Sequence, residues 1–377
     1  MQNIAFWGSK NTGRFILKSC PEDINVKYFL VDNGEEPLKP SKEGKVPVIS
    51  LTELKEKFRE GEIDAVYIYT YTRYTLSGII RKLKGAGIDH IGVFRHRVGL
   101  GEKLDWTDVV FLDELGKPFL PYLQINIVDG CNLNCKGCAH FANLFDVSDI
   151  TPLSEFRKDL EFLSERVHIF ELRMMGGEPL LNKDVIRYID TARELLPDTD
   201  LRLVTNGILL LKQPEEFFDS VKKNKVTLDI SGYKPILPYQ DKITSLLKEY
   251  EIPYVMTLNI GKFYKTINIK GDSDEDRAYE MCAQSYCTHL RRGKLYICPM
   301  EALFYRYVEH FDIKDFSLDP KEFGIDIYDS SLDFDTVFQK LSESVPLCRY
   351  CMESGDELFD WAVREDPEKE DWIAGLK

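Results

Sequence analysis

The sequence lacks the features of a membrane, secreted or nucleic-acid-binding protein. No stretch approaches the roughly 18 consecutive apolar residues that a transmembrane helix needs. The first residues, MQNIAFWGSKNTGR, lack a charged segment followed by a long apolar run, so no signal peptide is predicted and a cytoplasmic location is expected. Positive charge is scarce: 49 Lys and Arg against 63 Asp and Glu give a formal net charge of −14. We therefore expect neither a membrane nor a nucleic acid as partner.

Three segments follow one another along the 377 residues, and together they predict an α/β fold. Residues 1–118 alternate apolar strands with helices, which predicts a Rossmann-like parallel sheet. The alternation restarts in residues 119–275, where repeated β/α units favour a partial (β/α)6 barrel of the TIM type. Residues 276–377 are short of regular alternation and rich in cysteine, which predicts a small separate module with a hairpin turning at Arg292 and Gly293.

The first strand of the chain is followed by a turn that resembles a dinucleotide-binding fingerprint. Gly8 and Gly13 stand at its first and last glycine positions, whereas Lys10 replaces the middle glycine. Asp32 lies where a ribose-binding acid would fall. Two interpretations stay open: a nucleotide or nucleotide-sugar site at Gly8, Gly13 and Asp32, or a scaffold domain in which the glycines only turn the chain.

The nine cysteines do not form a disulfide framework, because a cytoplasmic chain keeps its thiols reduced. Cys20 stands alone. The others fall into two groups, which predict two metal centres; the first group is Cys131, Cys135 and Cys138, and the second is Cys282, Cys287, Cys298, Cys348 and Cys351.

The segment CNLNCKGC places the first three thiols on one loop after a predicted strand. Thiolates suit either an iron–sulfur cluster or zinc. Three ligands on a four-iron cluster leave one iron open to a further chelator. The alternative is a structural zinc site with His140 as fourth ligand.

A second motif, Gly176-Gly177-Glu178-Pro179, stands at the end of the next predicted strand. The CxxxCxxC loop followed by GGEP resembles the radical S-adenosylmethionine (radical SAM) superfamily. The resemblance implies a [4Fe–4S] cluster whose open iron binds the methionine part of S-adenosylmethionine (SAM). It also implies that the GGEP segment holds the cofactor's ammonium, with backbone from Gly176 and Gly177 and the carboxylate of Glu178.

Weaker matches to the same family follow at later strand ends. Asn206 and Ser231 correspond to positions that line the cofactor's ribose and carboxylate in similar enzymes. The chain departs from the family at Gly137, where an aromatic residue usually precedes the third cysteine. Adenine packing is therefore expected at Phe141 or His140. The chemistry implied is reductive cleavage of SAM to a 5′-deoxyadenosyl radical, which abstracts a hydrogen atom from substrate.

The second cysteine group resembles the short "twitch" module, related to the longer SPASM module, behind some radical SAM barrels. The resemblance implies one auxiliary [4Fe–4S] cluster, with ligands Cys282, Cys298, Cys348 and Cys351. Cys287 is then a spare thiol. The alternatives are that Cys287 is the ligand and Cys282 is not, or that the site binds zinc.

A spare thiol near a barrel mouth suggests a catalytic role for Cys287: it returns a hydrogen atom to a substrate radical, as in radical epimerases. In the competing hypothesis the auxiliary cluster takes an electron from the substrate radical, and the enzyme is a dehydrogenase. A one-electron reductant such as flavodoxin or ferredoxin is the expected protein partner.

The favoured substrate is a carbohydrate or nucleotide sugar, because the first domain resembles nucleotide-sugar-binding domains. The first alternative is a maturase of a ribosomal peptide or protein, although residues 1–118 lack the pattern of a winged-helix leader-binding domain. The second is a non-enzymatic metal-binding sensor or scaffold, which leaves the GGEP motif without a purpose.

Overall fold

The computed structural model describes residues 1–8, 17, 19–30, 46–69, 74–95, 105–314, 316–355 and 357–375. Its internal contacts divide the chain into two compact units, Met1–Pro121 and Tyr122–Lys377. In the part of the chain described, no helix combines the length and apolar character needed to cross a membrane.

The first unit is built on a five-stranded sheet of order β2-β1-β3-β4-β5, in which β1 to β4 are parallel and β5 is antiparallel to β4. The strands are β1 (Gln2–Trp7), β2 (Ile24–Leu30), β3 (Ala65–Ile68), β4 (Ile91–Phe94) and β5 (Val109–Phe111). The helices are α1 (Leu51–Arg59) and α2 (Tyr74–Gly85). The predicted parallel α/β sheet is therefore confirmed.

Apolar strand residues form the core of this unit, in which Phe6 and Phe94 are completely or almost completely buried. Of the three predicted nucleotide-binding residues, only Gly8 lies among the described residues. Its backbone N–H donates to the carbonyl oxygen of Leu30 at 3.2 Å, which fixes the end of β1 against β2. Gly13 and Asp32 lie outside the described residues, so the nucleotide site stays a prediction.

The second unit is built on an eight-stranded sheet of order β12-β11-β10-β9-β7-β14-β15-β16. Strand β6 (Phe119–Leu120) still belongs to the first unit. The strands of the eight-stranded sheet are β7 (Leu123–Val128), β9 (Glu171–Gly176), β10 (Asp200–Thr205), β11 (Thr227–Gly232), β12 (Tyr254–Leu258), β14 (His289–Arg291), β15 (Lys294–Tyr296) and β16 (Ile325–Asp326). Three short strands of the second unit lie outside this sheet: β8 (His168–Ile169), β13 (Lys262–Tyr264) and β17 (Leu358–Asp360). The helices are α3 (Leu153–Arg166), α4 (Val185–Leu195), α5 (Glu215–Lys223), α6 (Gln240–Glu249), α7 (Glu275–Met281), α8 (Pro299–His310) and α9 (Phe334–Lys340).

The parallel part of this sheet fits the predicted partial barrel, with one difference in the origin of a strand. β7, β9, β10, β11 and β12 come from residues 119–275, but the sixth parallel strand, β14, comes from the cysteine-rich segment. β14 pairs with β7, with His289 opposite Gln124. The predicted hairpin joins β14 to β15, and Arg292 and Gly293 both have the positive φ of a tight hairpin turn.

Alternation along the strands gives the sheet two different faces. One face is apolar and completely buried; it includes Leu172, Met174, Leu201, Leu203, Leu228 and Ile230. The other, which we call the polar face, carries Gln124, Asn126, Glu171, Arg173, Arg202, Asp229, His289 and Arg291. Because the apolar face forms the core, we expect the side chains that bind ligands or take part in a reaction to lie on the polar face.

Candidate active site

The three cysteines of CNLNCKGC lie in the loop that follows β7. Burial raises the pKa of the thiols of Cys131 and Cys135 to about 12 and also raises that of Cys138. The charge of Cys138 further raises the pKa of the other two, so the three thiols lie within electrostatic reach of one another. Iron binds thiolates, so loading this loop with metal releases protons.

The GGEP segment packs directly against the start of this cysteine loop. The backbone N–H of Gly177 donates to Val128 at 3.0 Å, and that of Glu178 donates to Gly130 at 3.1 Å. A Cβ atom on Gly176 would lie 1.8 Å from the Val128 oxygen, and one on Gly177 would lie 2.1 Å from the Gly130 oxygen. The two glycines are thus required by the close approach of two strand ends.

The carboxylate of Glu178 is completely buried and ties β9 to the end of β10. It accepts hydrogen bonds from the hydroxyl of Thr205 at 2.7 Å and from the backbone N–H groups of Asn206 at 2.8 Å and Leu180 at 3.1 Å. Burial raises the pKa of Glu178 to about 7, although these three donors oppose the shift. The two oxygens of a carboxylate accept about four hydrogen bonds in total. The three donors above therefore leave one acceptor position on Glu178 for the predicted contact with the ammonium group of SAM.

The other predicted cofactor-binding residues surround this point. Asn206 is buried, and its Nδ2 donates to Asn132 Oδ1 at 2.8 Å, next to Cys131. Pro179 starts a single turn that Glu178 caps. Ser231 lies near the end of β11, half-buried. β7, β9, β10 and β11 are parallel neighbours, so these positions lie along the same edge of the sheet as the cysteine loop.

Phe141 has no surface open to an adenine ring. Its ring is 0% exposed and packs against Tyr307 and Trp372, with ring centres 5.6 Å away in each case. A positive φ of 50° turns the chain at this residue and points the ring into the core. The prediction for Phe141 is therefore corrected: it anchors the cysteine loop to helix α8 and the C-terminal residues.

The polar face below the cysteine loop holds a row of hydrogen-bonded side chains. Tyr122 donates its hydroxyl proton to Gln124 Oε1 at 2.8 Å, which leaves the amide nitrogen of Gln124 facing His289 Nδ1 at 3.1 Å. Burial lowers the pKa of His289 well below its usual range, so the ring is neutral. Since Nδ1 accepts from Gln124, the ring proton of His289 lies on Nε2.

Three buried polar atoms near this row have no hydrogen-bond partner in the described structure: His289 Nε2, His140 Nδ1 and Asn126 Oδ1. Asn126 and His289 lie on the same face of adjacent strands, and the rings of His140 and His289 are 6.3 Å apart. Leaving a buried polar atom unpaired costs about 1–3 kcal/mol, so such a group of atoms indicates a ligand site. The sequence signal for it is the polar Gln124 and Asn126 in an otherwise apolar strand.

Farther along the polar face, two arginines and three carboxylates form a buried ionic network. Arg173 Nε donates to Glu171 at 2.8 Å, and Arg202 Nη2 donates to Asp200 at 3.0 Å. Asp229 lies 3.3 Å from Arg173. The network joins β9, β10 and β11 and fixes Arg173 beside Tyr122.

Four of the five later cysteines are the predicted ligands of the auxiliary cluster. Cys282 follows α7, Cys298 caps α8, and Cys348 and Cys351 flank the end of a short turn. Burial raises the pKa of all four thiols, and the charge of Cys282 further raises that of the other three.

Cys287 shares the effect of Cys282 with three of these four but also lies near the polar face. Burial raises its pKa to about 12, the charge of Arg173 and the neighbouring Tyr122 oppose the shift, and the charge of Cys282 adds to it. The thiol is therefore protonated and lies beside the polar face.

Within the described ranges, no three His, Cys, Asp or Glu side chains converge on a single point suited to one metal ion. A four-iron cluster binds each thiolate through a different iron atom, so its ligands do not have to meet at one point.

A cavity of about 750 Å³ opens beside the cysteine loop. Asp129, Arg291, Phe145 and Tyr305 are among the residues that line it. Asp129, in the lining of the cavity, accepts a hydrogen bond from Asn126 Nδ2 at 2.9 Å and so connects the cavity to the polar face.

Comparison with known proteins shows the class of the central domain. Residues 125–261 match the model of the radical SAM superfamily. The chain is 32% identical over 114 residues to a GTP 3′,8-cyclase of Thermodesulfovibrio yellowstonii, which covers 29% of the chain and 35% of that enzyme. It is 27% identical over 172 residues to a GTP 3′,8-cyclase of Campylobacter jejuni, which covers 44% of the chain and 52% of that enzyme. The chain thus spans about half the length of these relatives or less.

Two solved structures are also similar. BtrN in complex with AdoMet and 2-DOIA matches with 18% identity and a TM-score of 0.38, over 68% of this chain and 99% of BtrN. AnSMEcpe with bound AdoMet and the Cp18Cys peptide matches with 18% identity and a TM-score of 0.31, over 38% of this chain and 44% of that one.

Residues 125–261 therefore carry a radical SAM domain, and the cofactors of that family are SAM and a [4Fe–4S] cluster. The three buried thiols of the loop suit that cluster, and their binding of the cluster in place of zinc stays a prediction.

Proposed function

We propose that this radical SAM enzyme abstracts a hydrogen atom from a carbohydrate or nucleotide sugar bound on the polar face. The observation that carries the proposal is the group of unpaired buried atoms around His289 and Asn126. His289 Nε2–H offers a donor and Asn126 Oδ1 offers an acceptor. A hydroxyl group both accepts and donates, so it satisfies both atoms at once.

The cofactors supply the radical, and the chain supplies position. When bound, the cluster and SAM provide the 5′-deoxyadenosyl radical that takes the substrate's hydrogen atom. Cys131, Cys135 and Cys138 would hold the cluster. The strand ends at Gly176, Glu178, Asn206 and Ser231 would hold SAM above the polar face, so that His289 and Asn126 orient a substrate hydroxyl below it.

We assign epimerisation to Cys287. A C–H bond of the substrate breaks, and a new C–H bond forms with the hydrogen of the Cys287 thiol. The sulfur radical that is left gains one electron from a flavodoxin- or ferredoxin-like reductant and one proton from water. The raised pKa of Cys287 supports this role, because the protonated thiol is the form that donates a hydrogen atom.

The second candidate outcome is dehydrogenation, which the set Cys282, Cys298, Cys348 and Cys351 favours. These thiols would hold an auxiliary [4Fe–4S] cluster that accepts one electron from the substrate radical, while a proton leaves to water. A carbonyl then replaces the alcohol. Product analysis separates the two outcomes, because only epimerisation returns a hydrogen to the same carbon.

The test is an assay of 5′-deoxyadenosine after anaerobic reconstitution, with free sugars, nucleotide sugars, GTP and a peptide as alternative substrates. We expect a carbohydrate to stimulate 5′-deoxyadenosine formation and to pass its deuterium to it. We expect His289→Ala to remove this stimulation while slow SAM cleavage without substrate persists. Stimulation by GTP alone, as the names of the relatives favour, or by the peptide alone would overturn the carbohydrate proposal. Loss of SAM binding in His289→Ala would assign the unpaired atoms to SAM.

In the same assay, Cys287→Ala separates the two outcomes. If it still gives 5′-deoxyadenosine and diverts product away from the epimer, Cys287 is the hydrogen donor. Full epimerisation by Cys287→Ala would exclude this role.

A further inference from the structure

Residues 358–372, which we call the closing segment, run along the outside of the cysteine loop. The backbone N–H of Lys136 donates to Ala362 at 2.9 Å, and that of Arg364 donates to Asn134 at 3.0 Å. Between these two bonds, Cys135 and Val363 form an antiparallel bridge. The cysteine loop and the closing segment therefore pair like two short antiparallel strands.

The closing segment also explains the glycine at position 137. Gly137 has φ of +63°, and a Cβ atom there would lie 2.7 Å from the ring of Phe359 and 2.8 Å from the carbonyl oxygen of Asp371. The space that any side chain at residue 137 would need is thus taken by the closing segment. The departure from the usual aromatic residue follows from this packing.

One side chain of the closing segment reaches a sulfur atom of the loop. Trp361 Nε1–H donates to Cys135 Sγ at 3.1 Å. Its indole ring stacks on Tyr233 with a centre distance of 5.5 Å and an interplanar angle of 20°. The stacking fixes the direction of the N–H group.

A second tryptophan makes a bond of a different kind. Trp372 Nε1–H donates to the backbone carbonyl oxygen of Cys138 at 2.8 Å and so contacts the same loop without contacting a sulfur. The chain therefore offers two indole N–H groups on one loop, one to a sulfur and one to the backbone.

A hydrogen bond to a ligating sulfur withdraws negative charge from it, which stabilises the reduced state of an iron–sulfur cluster more than the oxidised state. We propose that Trp361 is a positioning residue that raises the reduction potential of the radical SAM cluster through its bond to Cys135. Its effect is to make the cluster easier to reduce by the external electron donor. The proposal does not depend on the identity of the substrate.

The experiment compares two matched variants of the reconstituted full chain. Trp361→Phe removes the N–H group and keeps an aromatic ring for Tyr233, and Trp372→Phe makes the same chemical change at the bond to the backbone. Redox titration followed by electron paramagnetic resonance measures the potential of the cluster whose signal changes when SAM is added. Iron content and circular dichroism establish that each variant is loaded and folded.

We expect Trp361→Phe to move this potential to a more negative value and Trp372→Phe to leave it unchanged. An unchanged potential in fully loaded Trp361→Phe would overturn the proposal. An equal shift in both variants would also overturn it, because the cause would then be displacement of the loop. If Trp372→Phe does not bind the cluster, Tyr233→Leu replaces it as the control. This variant removes the ring that stacks on Trp361 but keeps the Trp361 N–H group. We expect it to shift the reduction potential less than Trp361→Phe does.

Discussion

Arg291 and Asp129 form a buried ion pair, in which Arg291 Nη1 donates to the carboxylate of Asp129 at 2.8 Å. The side chains are only 8% and 6% exposed. The pair joins hairpin strand β14 to the residue that precedes the cysteine loop by one glycine and so links the later cysteine-rich segment to that loop.

Removing one partner of this pair leaves a buried charge without compensation. We expect Arg291→Met to lower the free energy of unfolding of the apoprotein by about 3–5 kcal/mol. Arg292→Met is the control, because Arg292 is the exposed neighbour, and we expect a change within about 0.5 kcal/mol. Urea denaturation measures both, and equal losses would contradict a specific role for the ion pair.

Counting iron and sulfide tests the two proposed centres. We expect about eight irons per chain in the reconstituted protein and about four after Cys→Ser replacement of Cys131, Cys135 and Cys138 together. The same replacement of Cys282, Cys298, Cys348 and Cys351 should also leave about four. Cys287→Ser serves as the matched single change and should lose none. About four irons in the unmodified protein would remove the auxiliary cluster.

Gly137→Ala tests the packing of the closing segment on the cysteine loop. We expect the new methyl group to push Phe359 and Asp371 away. This displacement should lower the free energy of unfolding by about 1–3 kcal/mol, in addition to the cost of placing an alanine at a positive φ. Gly116→Ala controls for that effect, since Gly116 has the same φ of +63° and open space around it. Chemical denaturation gives the difference, and equal costs in both variants would show that the contact does not constrain the loop.

Glu178 gives the apoprotein a predictable dependence on pH. Because burial raises its pKa to about 7 in the folded state, its protonated form stabilises the fold at low pH, and this contribution is lost as the pH rises through about 7. We expect the stability of the wild type relative to Glu178→Gln to fall by about 3 kcal/mol between about pH 4.5 and pH 8. Denaturation of both proteins at the two pH values measures this. A difference that is constant with pH would show that the three hydrogen bonds keep Glu178 ionised throughout.

The strands and turns that depend on a local residue pattern could be predicted from the sequence. Contacts between segments far apart in the chain could not. The strands before CNLNCKGC, GGEP and Asn206, and the hairpin at Gly293, follow from alternation and turn residues, and the structure contains them. The place of β14 beside β7 depends on pairing across more than one hundred residues, which leaves no local signal.

The site shows the same limit. The spacing of the cysteines identified the loop, but the contact between Trp361 and Cys135 joins residues 226 positions apart. Phe141 was misassigned because its backbone conformation, which turns the ring into the core, is not readable from the residues around it. Gly137 stood out as a departure from the family, yet only the packing of Phe359 explains it.

The long separation between the cysteine loop and its cover also sets an order of events in folding. The bonds from Trp361 and Trp372 to the loop close chain segments of 226 and 234 residues. Contacts of such sequence separation form late, because the entropy of closing the chain is lost before they stabilise anything. The ribosome also completes the cysteine loop long before it makes the closing segment. During synthesis, the cysteine loop is therefore exposed until the segment that covers it has been made.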